Sequence, residues 1–523
     1  MLQCEHRAVS GRDRLSYGEY ESVMNVASLR TVCVFAVATI EFGLPGGRPS
    51  TWFGRLDVSV PSATSAQSPA GKGLKPAATA VPLKTNIPYA DAKAILETLR
   101  EDLLPAELRA LTPADRESSW DLWVTRRDEE IRGRLARGDE DSIVNFLLFG
   151  TTFTSRPRVT SRHFIARDAQ VTKLDVVQRR LDDMVAGIGS PGANERLQFA
   201  RKVIEREGID PATAAGRHQA RLYLEKILIR TVTERDTYDH AVGALVQLDD
   251  PIARLHESLR LYRDRGLSTD TRILPNFAVE QALEAIASER TADPGSIRRV
   301  AIVGPGLDFI DKAEGYDFYP PQTIQPFGVI DSSIRLGLSK PDDLRVTTFD
   351  LSARVNDHIE AAGDRAHAGG SYVLHLPLKT DVHWSPELVA YWKRFGDRIG
   401  QHAKSTIPPE AGGNVKVRSV RVRPAVVTTI APRDLNVVLQ RLEPLAADER
   451  FDLIIATNVL VYYDVFEQSL AVVNVAKMLR SGGLFLINNS VVGVPAVPLS
   501  MAGYRDVAYW PGVPDRMIWY RRD

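Results

Sequence analysis

The fold is decided by the stretch RVAIVGPGLDF, which runs from Arg299 to Phe309. Its first half is a run of β-branched and small apolar residues, which predicts a buried β-strand. The run stops at Gly304-Pro305-Gly306, and this triplet predicts a tight turn lined by backbone N–H groups. In an open parallel sheet, ligands bind beyond strand ends of this kind, and glycines let a ligand approach the backbone closely. An ordinary tight turn after a core strand would contain the same residues.

The rest of the C-terminal part alternates between helical and strand patterns. Leu344–Asp350 predicts a second strand that ends in an acid, and Phe451–Asn458 and Leu484–Asn489 predict two further buried strands. Tyr504–Trp510 and Arg516–Arg521 are alternating runs joined by a Pro-Gly-Val-Pro loop. We expect these two runs to form an antiparallel pair at one edge of an α/β sheet.

Composition narrows the class of protein. A chain of 523 residues is too long for one compact core, so two or more domains are expected. The 66 basic residues balance the 66 acidic residues, which argues against binding to nucleic acid or to an anionic membrane. The only cysteines are Cys4 and Cys33, so the body of the chain contains neither a disulfide scaffold nor a thiolate zinc site. The histidines show no metal-ligand spacing, and we predict no metal.

Three regions follow from the patterns. Residues 1–87 are predicted to be a disordered N-terminal segment, because residues 59–88 are rich in Ser, Ala, Pro and Thr. Residues 88–293 have helical periodicity and predict a mostly α-helical domain of unknown role. Residues 294–523 form the α/β domain, with an insertion at about 355–415. We interpret this insertion as a lid or acceptor wall, with plain extra packing as the alternative.

Four blocks within residues 298–521 resemble the class I S-adenosylmethionine-dependent methyltransferases. They are the glycine turn, the acid at Asp350, the strand Phe451–Asn458, and Leu479–Leu484 before the fifth strand. The terminal antiparallel pair is similar to the last two strands of that fold. The block Phe451–Tyr463 is also similar to one in bacterial chemotaxis-receptor glutamate methyltransferases. The resemblance implies a Rossmann-like seven-stranded methyltransferase sheet, with S-adenosyl-L-methionine as the cofactor.

The resemblance also implies roles for individual residues. Those it places beside the cofactor are Gly304, Pro305, Gly306, Asp308, Asp350, Leu351 and Asn458. A carboxylate at the end of the second strand can accept two hydrogen bonds from ribose hydroxyls, which is the role expected of Asp350. Capping of the following helix is the alternative role for this residue. Tyr462 and Tyr463 are candidates for contact with the substrate, and packing on the next helix is their alternative role.

Methyl transfer from a sulfonium needs no covalent enzyme intermediate, so the protein chiefly aligns the acceptor and excludes water. The sequence therefore indicates no particular general base. The acceptor could be a small molecule, a protein side chain or a nucleic acid, and the neutral charge argues against the last of these.

Two other classes of function stay open. The chain has Ile302 where the family usually has an acid and Asp308 where it usually has a small residue. These differences leave room for a catalytically silent binding module. Gly304-x-Gly306 also begins the fingerprint of dinucleotide-binding oxidoreductases. However, the third glycine position of that fingerprint is Phe309, and Asp350 is too far along the chain for the usual ribose acid.

The compartment depends on one apolar run, Thr31–Ile40, which ends at Glu41. The run is far too short to span a bilayer unaided. If translation begins at Met24, it is similar to the apolar region of a secretory signal. A misassigned start and a short buried strand are the alternatives. Because the methyl donor is made and kept in the cytoplasm, we expect the protein to work there.

The first prediction concerns Asp350. Replacing it with Ala should weaken the binding of S-adenosylhomocysteine by about 1.5–3 kcal/mol, the range for a hydrogen bond to a charged group. Isothermal titration calorimetry measures this loss. Unchanged affinity in a folded variant would show that Asp350 does not hold the ribose.

Overall fold

The computed structural model describes residues 82–159, 169–245, 257, 265–310, 317–379, 384–404, 416–488, 497–509 and 515–523. The apolar run at 31–40 and nearly all of the predicted N-terminal segment lie outside these residues. No helix within the described residues has the length and the apolar composition needed to cross a membrane.

The elements of the N-terminal half are β1 (Leu83–Asn86), α1 (Tyr89–Thr98), α2 (Ala106–Arg109), α3 (Pro113–Phe149), α4 (Ala169–Gly189), α5 (Glu195–Arg206), α6 (Ala214–Leu245) and α7 (Leu274–Ser288). Those of the C-terminal half are β2 (Arg299–Val303), β3 (Asp308–Ile310), β4 (Asp317–Gln322), α8 (Gln325–Arg335), β5 (Arg345–Asp350), α9 (Ala353–His367), β6 (Tyr372–Lys379), α10 (Pro386–Arg394), β7 (Gly400–Ala403), β8 (Lys416–Val422), α11 (Pro424–Val427), β9 (Ile430–Asp434), β10 (Gln440–Glu443), β11 (Phe451–Ala456), α12 (Val465–Met478), β12 (Leu479–Ile487), β13 (Leu499–Val507) and β14 (Asp515–Arg522).

A seven-stranded sheet forms the centre of the C-terminal half, with the order β9-β5-β2-β11-β12-β14-β13. The strands from β9 to β12 are parallel, and β14 lies antiparallel between β12 and β13. Numbered along the chain, this is the order 3-2-1-4-5-7-6 of the class I methyltransferase sheet. The predicted fold is therefore confirmed.

The centre of the sheet is the strand that was predicted first. β2 pairs with β5 on one side and with β11 on the other, and Val300–Ile302 are fully buried. A strand between parallel neighbours is covered by helices on both faces, which explains its continuous apolar sequence. The buried carboxylate of Asp452 on β11 accepts hydrogen bonds from the backbone N–H groups of Arg298 and Arg299, at 2.7 and 2.8 Å. This contact fixes the register in which β2 enters the sheet.

The third strand, β9, was not found from the sequence. Its residues Ile430–Asp434 include a proline and alternate poorly, because they form an edge strand that is largely exposed. The segment before it holds α9, α10 and a separate three-stranded sheet in the order β6-β8-β7. That these elements form a lid or an acceptor wall stays a prediction.

The fifth strand begins earlier than predicted. Helix α12 ends at Met478, and β12 starts at Leu479 instead of Leu484. Phe451 lies opposite Leu479 while Leu453 lies opposite Leu484, so the extra residues form an irregular bulge in the ladder.

The long helix α3 joins the two halves of the molecule. Thr112 caps its start by accepting a hydrogen bond from the Asp115 N–H, and its 37 residues extend for about 55 Å. Near the N-terminus of α3, the rings of Trp120 and Trp123 stack with their centroids 5.1 Å apart. Both side chains pack in the core between the sheet and α12. The C-terminal part of α3 belongs to a different core, which it shares with α4, α5 and α6.

The prediction that residues 1–87 are disordered does not hold at the C-terminal end of this segment. Residues 83–86 form β1, which pairs antiparallel with β10 of the α/β half. Ile87, directly after β1, is fully buried, and its backbone N–H and C=O bond to the Leu439 carbonyl and to the Trp120 indole, each at 2.8 Å. The composition of the segment suggested disorder, but one buried isoleucine and pairing with one strand are enough to order its end.

This attachment leads to the second prediction. Ile87→Ala should lower the free energy of unfolding by about 2–5 kcal/mol, the cost of removing a fully buried large aliphatic side chain. Leu83→Ala is the matched control, since Leu83 is 64% exposed and its loss should cost less than about 0.5 kcal/mol. Chemical denaturation measures both. Equal costs for the two variants would show that the β1 segment is not anchored.

Candidate functional site

The glycine turn after β2 has the conformation that its sequence predicts. Gly304 and Gly306 both have positive φ, at 62° and 57°, a region in which residues with a side chain are strained. The backbone N–H groups of both glycines donate hydrogen bonds to other residues of the protein. Gly304 donates to the Phe349 carbonyl at 2.8 Å, and Gly306 donates to the Asp350 carboxylate at 3.4 Å. The predicted strand end, turn and acid therefore come together at one edge of the sheet.

Residues 265–272, here called the strap, precede α7 and cover one side of this turn. Thr269 and Thr271 flank Leu307: the Leu307 N–H donates to the Thr269 carbonyl at 2.8 Å, and the Thr271 N–H donates to the Leu307 carbonyl at 3.0 Å. A Cβ on Gly306 would lie 2.4 Å from the Thr271 methyl carbon and 2.7 Å from the Thr269 carbonyl oxygen. The sequence predicted space for a ligand beside both glycines, and at Gly306 the strap occupies that space.

The other side of the strap is held by α3. The Arg134 guanidinium donates to the Arg265 carbonyl at 3.0 Å, and the Arg134 carbonyl accepts from the Leu267 N–H at 3.1 Å. The Leu267 carbonyl passes so close to Gly138 that a Cβ there would lie 1.8 Å from its oxygen. The strap is thus packed between α3 and the glycine turn.

Asp350 lies at the end of β5, and only 9% of its surface is exposed. Its Oδ1 accepts from the Ser352 N–H at 2.8 Å, so it supports the start of α9, while its Oδ2 faces Gly306. Burial raises the pKa of the Asp350 carboxyl to about 6, against the opposing effects of these N–H donors and of Arg354. Each carboxylate oxygen has two lone pairs, so this support of α9 and hydrogen bonds to a ligand are compatible.

A cavity of about 490 Å³ lies between β9 and the first turns of α9, and Leu351, the neighbour of Asp350 in the chain, is part of its lining. One wall is formed by Leu351 and the first turns of α9, including Asn356, and the opposite wall is the strand β9. Asp434 at the end of β9 lies directly across the ladder from Asp350 and forms ion pairs with Lys84 and Arg132. A ligand in this cavity would therefore meet an apolar wall and several polar groups.

Asn458 follows β11 at the same edge of the sheet. It has a φ of 57°, and its exposed side chain forms a reciprocal pair with Asn488 at the end of β12. The Asn458 N–H donates to the Asn488 Oδ1 at 2.9 Å, and the Asn488 Nδ2 donates to the Asn458 Oδ1 at 2.7 Å. The adjacent Val459 packs on the glycine turn, since a Cβ on Gly304 would lie 2.7 Å from its side chain.

The remaining predicted site residues are Pro305, Asp308, Tyr462 and Tyr463. Pro305 is buried within the turn, and Asp308 begins β3, where its backbone pairs with Gln322 of β4. Tyr463 is buried in the core, 5.8 Å below the Arg134 guanidinium, and burial raises the pKa of its hydroxyl. Tyr462 is partly exposed, and its carbonyl accepts from Arg134 at 3.0 Å. The contacts of Tyr463 are those of a packing residue.

Sequence reasoning missed three contributors to this edge: the strap, Asp434 and Asn488. Asn488 could have been found, because it ends the apolar run of the fifth strand as Asn458 ends that of the fourth. The strap gives no local signal, since its role depends on contact with a turn more than thirty residues later in the chain.

No protein-family model and no curated protein matches this chain. Solved structures that are similar to part of it include the N-methyltransferase NodS from Bradyrhizobium japonicum WM9, with 14% identity over 48% of this chain and 99% of that chain, and a TM-score of 0.23. Another is a magnesium protoporphyrin IX methyltransferase from Synechocystis PCC 6803, with 10% identity, coverage of 51% and 90%, and a TM-score of 0.24. A third is an O-methyltransferase family protein from Burkholderia thailandensis, with 13% identity, coverage of 79% and 99%, and a TM-score of 0.22.

These scores carry no argument by themselves, and the assignment to the class I methyltransferase fold rests on the strand order and direction of the sheet. The similarity of the block at 451–463 to chemotaxis-receptor methyltransferases stays a prediction, since none of the structures named above is of that kind.

The third prediction concerns Gly306. Gly306→Ala should lower the free energy of unfolding by about 1–2 kcal/mol through left-handed strain, and by about 1–3 kcal/mol more because the methyl group meets the strap. Gly192→Ala is the matched control: its φ is 53°, and nothing lies within 4 Å of an added Cβ, so only the strain applies. If both variants lose the same stability in urea titrations, the strap does not pack on the turn.

Proposed function

We propose that the protein is an S-adenosyl-L-methionine-dependent methyltransferase that acts on a methyl acceptor not yet identified. The observation that supports this most is the meeting of the glycine turn, the Asp350 carboxylate and Asn458 at the carboxyl edge of a sheet with the class I strand order. Ligands of open α/β sheets bind at this edge.

The residues present fit the cofactor. The cavity between β9 and α9 has the volume of a small-molecule site, and Leu351, Ala431 and Pro432 in its lining would suit a flat base. Asp350 would hold the ribose hydroxyls, and Gly304, Pro305 and Asp308 would border the methionine end, whereas the strap covers Gly306. Asn458 would lie on the acceptor side.

When bound, the cofactor supplies a methyl group already activated as a sulfonium. The protein then has to orient the acceptor and keep water away from the edge of the sheet. The core packing of Val459 against the turn and of Tyr463 against α3 stiffens the loop that carries Asn458.

The hydrogen bonds of the glycine turn favour this function over an oxidoreductase. A dinucleotide site binds its pyrophosphate through backbone N–H groups at the turn. Here the N–H groups of Gly304, Gly306 and Leu307 already donate to acceptors of the protein. S-Adenosylmethionine has no phosphate, so it does not need these donors. A silent binding module with the same fold is the second candidate, and the differences at Ile302 and Asp308 are what favour it.

The acceptor and the compartment are parts of the proposal. We infer a small-molecule or protein acceptor, because the 66 basic residues are balanced by 66 acidic residues and the chain has no net positive charge to attract nucleic acid. We infer a cytoplasmic site of action, because the donor is found there.

The fourth prediction tests the function by isothermal titration calorimetry. S-Adenosylhomocysteine should bind and NAD should not. Affinity for S-adenosylhomocysteine should fall as the pH drops below about 6, since the carboxyl of Asp350 becomes protonated there and loses acceptor capacity.

Asp350→Asn is the control for this prediction, because it should bind weakly with no dependence on pH in the same range. Binding of NAD alone would support the oxidoreductase, and binding of neither ligand would support the silent module.

A further inference from the structure

Three neighbouring strands bring polar side chains to the open edge of the sheet. Asn458 follows β11, Asn488 follows β12, and Asp515 begins β14. β14 runs antiparallel to β12, with Ile487 opposite Ile518, so the first residue of β14 reaches the edge at which β11 and β12 end. We call Asn458, Asn488 and Asp515 the polar row.

The polar row is continuous through Asn488. Its Oδ1 accepts from a backbone N–H, that of Asn458, and this contact fixes which side of the amide is oxygen. The other polar atom of the Asn488 amide is therefore the nitrogen Nδ2. That nitrogen donates to the Asn458 Oδ1 at 2.7 Å. The same side chain lies close enough to Asp515 to lower the pKa of its carboxyl. The two hydrogen bonds with Asn458 thus set the orientation of the Asn488 amide.

Asp515 is held from the other side by Tyr509, whose hydroxyl donates to Oδ2 at 2.9 Å. Tyr509 is itself buried against Phe277 of α7, with 6.4 Å between the ring centroids. The backbone N–H of Arg516 and the positive charge of the strap residue Arg272 both act to lower the pKa of the Asp515 carboxyl. Burial nevertheless raises the pKa of Asp515 above its ordinary value.

We propose that Asp515 is the group that faces the methyl acceptor, that the acceptor is an amine, and that Asp515 receives its proton. The proposal rests on the proposed function. Asn458 would mark the cofactor end of the polar row and Asp515 the acceptor end. A nitrogen–carbon bond forms as the carbon–sulfur bond of the sulfonium breaks, the sulfur keeps the electron pair, and the proton leaving nitrogen passes to the Asp515 carboxylate.

An amine fits a carboxylate better than an alcohol does. Nitrogen gains positive charge as the methyl group arrives, so an adjacent carboxylate stabilises the transition state before any proton moves. An alcohol is a far weaker acid, and a carboxylate would be a poor base for its proton.

The test needs no knowledge of the acceptor. Sinefungin carries an ammonium group where the cofactor carries its sulfonium and methyl group, whereas S-adenosylhomocysteine has a neutral sulfur there. The two ligands share their ribose, base and amino acid. The ratio of their affinities for the full chain therefore isolates the charge environment at the methyl position, and any effect of Asp350 cancels.

The fifth prediction is that sinefungin binds about 10- to 100-fold more tightly than S-adenosylhomocysteine, as a charge-assisted hydrogen bond implies. Asp515→Asn, which keeps the shape of the side chain, should bring this ratio close to one and leave the affinity for S-adenosylhomocysteine unchanged. Asp523→Asn, at the opposite end of the same strand, is the matched control and should keep the ratio.

A pH series on the unmodified protein tests the same point without relying on the variant. The ratio should fall as the pH is lowered, because Asp515, which lies between Tyr509 and Arg272, then becomes protonated and loses its negative charge. A ratio that Asp515→Asn leaves unchanged, or that does not depend on pH, would overturn the proposal. Failure of both ligands to bind would instead overturn the proposed function.

Discussion

The contact between the strap and Gly306 is the constraint on which the arrangement of the molecule depends. Because Gly306 has no side chain, Thr269 and Thr271 can approach the turn closely enough to bond Leu307 from both sides. The same strap lies against α3, which carries the helical half. The carboxyl edge of the sheet, where ligands of this fold bind, is therefore built partly from residues outside the α/β half.

Local sequence patterns were sufficient for the interior of the sheet. β2 and β11 are buried and apolar along most of their length, and β5 is largely buried and rich in β-branched residues, so these runs could be recognised without any knowledge of their partners. The position of Asp350 followed from the same reasoning, since it ends one of these runs. An edge strand such as β9 has no such signal, because solvent covers much of it and its pattern includes Pro432.

Contacts between distant segments could not be read from the sequence. The strap, the pairing of β1 with β10 and the meeting of Asp515 with Asn488 each join parts of the chain that look unremarkable alone. The hydrogen bonds of the glycine turn were also unpredictable, because a turn with free N–H groups and one with bonded N–H groups have the same sequence. Which of the two is present decides the ligand chemistry, since only free donors can bind a phosphate.

The close packing of the strap has a consequence for how sequences of this kind can diverge. Gly138, Gly266 and Gly306 lie along one line of backbone contacts, and an added Cβ at each would come within 2.5 Å of a neighbouring atom. The three positions are therefore not free to vary one at a time. Gly138 and Gly266 contact each other directly, so replacing either would move the strap away from α3, whereas Gly306 is constrained both by the strap and by its positive φ.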